Sequence, residues 1–131
     1  MLECAILGDS IAAGVAMHDP VCYHQAVVGI SSTTYIQRFN THITADKILI
    51  SLGSNDGNPL ETRKSLEALR SNVNGSVTWL LSHNNPIAGR VAKEIAMRYG
   101  DRVIDIFPVV SRDGVHPTTN GYRKIAREWR Q

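Results

Sequence analysis

Residues 47–59 read Lys47-Ile48-Leu49-Ile50-Ser51-Leu52-Gly53-Ser54-Asn55-Asp56-Gly57-Asn58-Pro59. The first six are the clearest strand in the chain. A polar, glycine-bearing turn ends that strand. Asn58 then supplies a helix cap and Pro59 the first helical residue, where a missing N–H is harmless. The predicted helix carries Leu66, Leu69 and Val73. A strand, a polar turn and a helix in direct succession form the repeating unit of a parallel α/β sheet.

Working outward, the unit recurs. Cys4-Ala5-Ile6-Leu7 is a short apolar run ended by Gly8-Asp9-Ser10, and residues 11–17 suit a short helix. Gln25-Ala26-Val27-Val28 reads as a second strand ended by Gly29. Ser31 or Ser32 can cap a helix whose Tyr35, Ile36 and Phe39 share one face. Toward the C-terminus, Ser76-Val77-Thr78-Trp79-Leu80-Leu81 is a fourth strand, and Asn85-Pro86 repeats the cap–proline signal. Ile87, Val91 and Ile95 then step by four, as one helix face requires. Val103-Ile104-Asp105-Ile106-Phe107 is a fifth strand. The last helix has Tyr122, Ile125, Ala126 and Trp129 on one stripe, with Arg123, Lys124, Arg127 and Arg130 facing water. Trp79 and Trp129 are core residues. The expected fold is α/β, with a mainly parallel five-stranded sheet between helical layers, in one domain over residues 1–131.

Composition narrows the function. The 131 residues are 43% hydrophobic and 20% charged, which suits a globular chain and excludes disorder. The net charge of +2 is far from a nucleic-acid footprint. Apolar stretches are strand-sized, so no membrane span is expected. The opening Met1-Leu2-Glu3 lacks a basic region and does not read as a secretory leader. Cys4 and Cys22 have no zinc or redox spacing, and read as buried small hydrophobes in a reducing compartment, with a disulfide as the alternative. On these grounds the compartment is read as the cytoplasm or left unknown. Asn74-Gly75-Ser76 matches a glycosylation acceptor but reads as a turn. No phosphate-binding loop or dinucleotide fingerprint is present, so no nucleotide cofactor is indicated.

Three strands end in polar glycine turns, at Gly8-Asp9-Ser10, Gly29-Ile30-Ser31 and Gly53-Ser54-Asn55-Asp56. In a parallel sheet these ends meet on one edge, where ligands bind. Asp113-Gly114-Val115-His116-Pro117 follows the fifth strand. One edge therefore gathers a hydroxyl, a carboxamide, glycine amides, an imidazole and carboxylates.

Those four blocks, in that order and at strand ends, resemble the SGNH hydrolases, also called GDSL-like esterases. The likeness spans residues 8–122, including the continuation Asn120-Gly121-Tyr122. Two departures are Ile11 where leucine is usual and Gly29-Ile30-Ser31-Ser32 where Gly-x-Ser-Gly is frequent. The resemblance implies a flavodoxin-like three-layer α/β/α sandwich and a serine esterase needing no metal or cofactor. It implies Ser10 as nucleophile, His116 as general base and acid, and Asp113 as the carboxylate orienting the imidazole. The backbone amides of Ser10 and Gly29 and the side chain of Asn55 would hold the oxyanion, each donor contributing on the order of 3 kcal/mol. Asp9 and Asp56 are expected to brace the turns.

The connections are short, which predicts an open, shallow site. The expected substrates are short-chain esters, with O-acetyl groups on a carbohydrate as the specific choice. Lysophospholipid, thioester or aryl-ester hydrolysis are alternatives, as is a binding or assembly module with little catalytic power. His83 follows the fourth strand and lies near the active edge. His18, His24 and His42 show no ligand spacing and read as surface or structural residues.

Overall fold

The computed structural model describes residues 2–131; Met1, part of the amino-terminal stretch read above, lies outside them. Strands and helices alternate as β1 (Leu2–Gly8), α1 (Ser10–Met17), β2 (Tyr23–Ala26), α2 (Ser32–Arg38), β3 (Thr44–Ser51), α3 (Pro59–Asn72), β4 (Asn74–Leu81), α4 (Pro86–Tyr99), β5 (Arg102–Asp105) and α5 (Thr119–Glu128). The sheet has five strands in the order β2-β1-β3-β4-β5, all paired in parallel.

Both faces of the sheet are buried, which explains its near-continuous apolar strands. Ala5, Leu7, Ile48, Ile50 and Trp79 pack against Tyr35, Leu66, Leu69, Val91 and Ile95 of α2, α3 and α4. Cys4, Ile6, Leu49 and Leu80 point the other way, onto Ile11 and Val15 of α1, Ile125 of α5 and Trp129. Helices α1 and α5 thus cover one face, while α2, α3 and α4 cover the other. The loops after β1 and β3, neighbouring strands, diverge to opposite faces and open a crevice between them. This is the topological switch point at which such sheets bind ligands.

The cap–proline signals hold. Asn58 Oδ1 accepts from the N–H groups of Leu60 and Glu61, and Asn85 Oδ1 from that of Ala88. Of the two serines, Ser31 caps α2, accepting from Thr34 N–H at 3.2 Å.

Several expectations need correction. The second strand is Tyr23–Ala26, because Val27 N–H turns to the Gly8 carbonyl and leaves Val28 in solvent. Val91 and Ile95 are buried, but Ile87 in the first turn of α4 is 49% exposed, so the apolar stripe begins one turn later. The fifth strand stops at Asp105, whose carboxylate accepts from Phe107 N–H and bends the chain into a short 3-10 turn over Phe107–Val109. Asn74-Gly75-Ser76 begins β4 instead of forming a turn, with Asn74 N–H bonded to the Ile43 carbonyl. Arg130 is not a free surface cation. It lies beyond the end of α5 and donates to Asp19 Oδ1 at 2.7 Å, while Trp129 Nε1–H donates to Asp19 Oδ2 at 2.8 Å.

The cysteines are a further correction: Cys4 and Cys22 form a disulfide and are not free thiols. Cys4 lies on the face that α1 covers, and the chain returning from α1 to β2 brings Cys22 to within 4.8 Å, Cα to Cα. The reading of a reducing compartment loses its basis. No helix among the described residues is long and apolar enough to cross a membrane. Closing a loop across 18 residues restricts the unfolded chain by about 3 kcal/mol. Cys22→Ser should therefore lower unfolding stability by about that much. A urea midpoint unchanged by both the substitution and added reductant would refute this.

Candidate active site

Strand β1 ends at Gly8, with φ 145°. A Cβ there would lie 1.9 Å from the Ser51 carbonyl oxygen of β3, so only glycine lets the two strands stay paired to the edge. The next peptide continues the pairing, with Asp9 N–H on the Ser51 carbonyl at 2.9 Å. Asp9 then caps α1, its Oδ1 accepting from Ile11 N–H at 3.0 Å and from the Ser51 hydroxyl at 3.3 Å. Ser10 follows as the first residue of α1, half-buried at the switch crevice.

The Asp9 carboxyl is fully buried, and its Oδ2 has no partner among the described residues. Burial pushes its pKa up to about 6, against the opposing pull of the Ile11 and Ala12 N–H groups and the Ser51 hydroxyl. The unfolded chain ionises Asp9 near pH 4 while the folded chain keeps the proton to about pH 6. The resulting stability is fully present below pH 4 and lost as the pH rises through 6, an effect of about 3 kcal/mol. Urea unfolding of wild type and Asp9→Asn at pH 4 and pH 7 checks this. The wild type should lose that much more than the variant, and parallel pH curves would refute the assignment.

His116 reaches this crevice from the loop between β5 and α5. Its Nε2 lies 2.8 Å from Ser10 Oγ, across 106 residues of sequence. Its Nδ1 lies 2.7 Å from Asp113 Oδ2. The loop is held in shape locally. Asp113 Oδ1 accepts from the N–H groups of Val115 and His116, each at 2.8 Å, and from the Ser111 hydroxyl at 3.0 Å. Ser111 N–H closes the loop on the His116 carbonyl, and Val110 bridges Pro117. Thr118 then caps α5.

The hydrogen bond from the His116 ring, followed by the backbone N–H groups of His116 and Val115, holds the Asp113 carboxyl well below the usual carboxylate range. Asp113 is therefore an anion that can only accept. It accepts a hydrogen bond from Nδ1–H, which keeps the proton on Nδ1 and leaves the Nε2 lone pair to accept from Ser10. The side chains of His116 and Asp113 are 40% and 49% exposed, so the site is open to water. Beneath it, Tyr122 is neutral, its phenol pushed up to about 12 by burial and then by the carboxylates of Asp9 and Asp113.

The other two residues expected at the site stand on neighbouring loops. Gly29 is exposed, with φ 79°, a conformation L side chains rarely adopt. Asn55 is exposed, and its Nδ2 donates to the Ile30 carbonyl at 3.1 Å. That bond clasps the glycine loop to the asparagine loop and uses one of the two amide hydrogens. Asp56 braces the same region as expected, accepting from Ser32 N–H at 2.8 Å and from the Thr62 hydroxyl at 2.7 Å.

Sequence reasoning missed two supports. Ser111 steadies Asp113, and Asn85, read only as a helix cap, also donates to the carbonyls of Gly53 and Asp56 at 2.9 and 3.0 Å. The Ser-x-Asp spacing of Ser111 and Asp113 was the available signal for the first. The second is a contact across 32 residues with no local signature. His83 packs on Phe107, with ring centroids 4.9 Å apart, and makes no hydrogen bond with Ser10 or His116. His18, His24 and His42 are exposed. Among the described residues, no three His, Cys, Asp or Glu side chains converge as a metal site requires.

No protein-family model matches the chain, and no curated protein matches it in sequence. Its architecture is nonetheless shared with solved structures. The native aryl esterase of M. smegmatis is similar with a TM-score of 0.64 at 16% identity, covering 98% of each chain. The C-terminal catalytic domain of Streptococcus pneumoniae peptidoglycan O-acetyltransferase A has a TM-score of 0.64 at 15% identity, covering 95% of this chain and 88% of that one. A carbohydrate acetylesterase from Sinorhizobium meliloti has a TM-score of 0.58 at 12% identity, covering 95% and 94%. At such identities the likeness establishes the fold. The chain has the three-layer α/β architecture shared by these esterases and the acetyltransferase, as the resemblance to SGNH hydrolases implied.

Proposed function

We propose that this chain is a serine esterase of the SGNH type that hydrolyses short-chain carboxylic esters through an acyl-enzyme on Ser10. O-acetyl groups on a carbohydrate are its substrate class. The observation carrying this reading is the unbroken hydrogen-bonded series Asp113–His116–Ser10 at the switch crevice.

In the first half-reaction Ser10 Oγ attacks the ester carbonyl carbon and gives its proton to His116 Nε2. Asp113 stabilises the imidazolium that forms. The carbonyl oxygen becomes an anion held by the N–H groups of Ser10 and Gly29 and by the Asn55 amide. The positive end of α1 adds to this stabilisation. Collapse breaks the bond to the alcohol, which leaves with the proton from His116. Water then repeats the steps in reverse roles, with His116 taking its proton and Ser10 departing from the acid. Nucleophile, proton carrier and oxyanion donors all belong to the chain, so the chemistry needs no metal or cofactor.

A second reading, transfer of the acyl group to a sugar hydroxyl, shares every step but the last acceptor. The likeness to the peptidoglycan O-acetyltransferase domain favours keeping it, and the exposed His116 admits either acceptor.

The test is labelling by a fluorophosphonate, located by mass spectrometry, with a p-nitrophenyl ester series and an O-acetylated oligosaccharide as substrates. Label on Ser10, a preference for acetyl over longer chains and release of acetate from the sugar are the expected results. A folded protein with an unreactive Ser10 would hand the lead to a binding-module reading. Acetyl appearing on a second sugar would select transfer.

A further inference from the structure

A second cavity opens on the same edge of the sheet, and we infer that it is a subsite for an acidic sugar, a carboxylate-bearing residue of the O-acylated glycan. This inference deepens the esterase reading and rests on it for the identity of the neighbouring site. The cavity is about 390 Å³, and Ser82, His83, Arg90, Lys93, Asp105 and Phe107 line it. Its walls are the ends of β4 and β5 and one side of α4.

Two connections join it to the Ser10 crevice. Asn84 Nδ2 donates to the Ser54 carbonyl at 3.0 Å and Asn85 Nδ2 to the Gly53 carbonyl at 2.9 Å. The loop bearing His83 is thereby fastened to the loop bearing Asn55. On the other flank, Phe107 opens the turn that leads into the loop of Asp113 and His116. An oligosaccharide lying along the edge would meet both places.

The lining has matching chemistry. Phe107 is 62% exposed and stacks on exposed His83, their rings tilted by 49°. This ledge offers an apolar surface to the C–H face of a pyranose. Arg90 and Lys93 stand beside it with no ion-pair partner among the described residues, whereas Arg63, Arg70, Arg98 and Arg130 all have one. A guanidinium and an ammonium three residues apart on α4, lining one cavity, match a carboxylate, the guanidinium bidentately. The Asp105 carboxylate, held by Phe107 N–H, can accept from sugar hydroxyls. A fatty acyl chain placed here would strip water from both cations without replacing it. The combination selects an acidic glycan over a lipid.

The test is binding without turnover. Wild-type protein is titrated with an unacetylated mannuronate tetramer and with the neutral mannose tetramer, followed by amide shifts in nitrogen–proton NMR. The acid should shift His83, Arg90 and Phe107 and bind at least tenfold more tightly than the neutral sugar. Arg90→Gln with Lys93→Gln should weaken it at least tenfold, and both side chains are exposed, so folding is preserved. Phe107→Ser, at another exposed position, should weaken both sugars. Equal affinity for the two tetramers, shifts mapping instead to Arg123 and Arg127 of α5, or no binding at millimolar concentration would overturn the proposal. No ester is cleaved, so binding of the acid by a protein whose Ser10 resists fluorophosphonate would leave the subsite standing and remove the esterase.

Discussion

Ser10→Ala should lower kcat for p-nitrophenyl acetate by about ten-thousand-fold or more, with the fold intact. The nucleophile is the one group whose loss removes the covalent pathway outright. A fall of that size corresponds to about 5.5 kcal/mol of barrier. What survives is the binding of the ester and its oxyanion by the remaining donors. The fold should tolerate the change because among the described residues the Ser10 hydroxyl bonds only His116, while Asp9 caps α1. Thermal melting of the variant should match wild type to within a few degrees on the scale of ordinary surface substitutions. Exposed His18, His24, His42 and His83 give any such protein a weak background toward activated esters. The ratio of variant to wild type, not the raw rate, is therefore the readout. Equal rates in two folded proteins would remove Ser10 from the chemistry.

Asp113→Asn should cost about a thousand-fold in kcat with little change in KM. Asparagine keeps the shape but brings an N–H group that can face His116 Nδ1. The imidazole then carries its proton on Nε2, where it can no longer accept from Ser10. The loss is expected to be smaller than for a fully buried carboxylate, because water reaches the 49% exposed Asp113 side chain and can substitute in part. Asp113 also organises its own loop through Val115, His116 and Ser111. Asp113→Glu separates the two roles. It restores the negative charge but overreaches a spacing of three residues. Activity of Asp113→Glu at the wild-type level would show that orientation matters little, and a full-rate Asp113→Asn would exclude the carboxylate from the mechanism.

The legible parts of this protein were those with local chemical signatures. Asn58-Pro59 and Asn85-Pro86 start helices because a side-chain oxygen and a fixed φ act within one turn. Gly8 and Gly29 mark positions whose backbone suits glycine, and Asp113 with His116 is a pair close in sequence. Errors fell where hydrogen bonding and strand pairing overrode the apolar pattern. Val28 continued an apolar run but had no strand beyond Ala26 to pair with. Phe107 looked like strand core, yet the Asp105 carboxylate turns the chain before it arrives. Arg130 belonged by periodicity to a wet face, but it is drawn to Asp19, 111 residues away in sequence.

By itself, then, the sequence determined the alternation of strands and helices, the parallel sheet and the inventory of polar turns. Each follows from interactions spanning a few residues: apolar period, capping and backbone sterics. Only the tertiary structure decided which groups meet. It closed Cys4 onto Cys22, fastened the loop of Asn55 to that of His83, and set Arg90 and Lys93 beside an exposed aromatic ledge. It also brought His116 Nε2 to 2.8 Å from Ser10 Oγ. The physical reason is that a shared sheet edge fixes these distances. The order β2-β1-β3-β4-β5 is a property of pairings between distant segments, which no local pattern encodes.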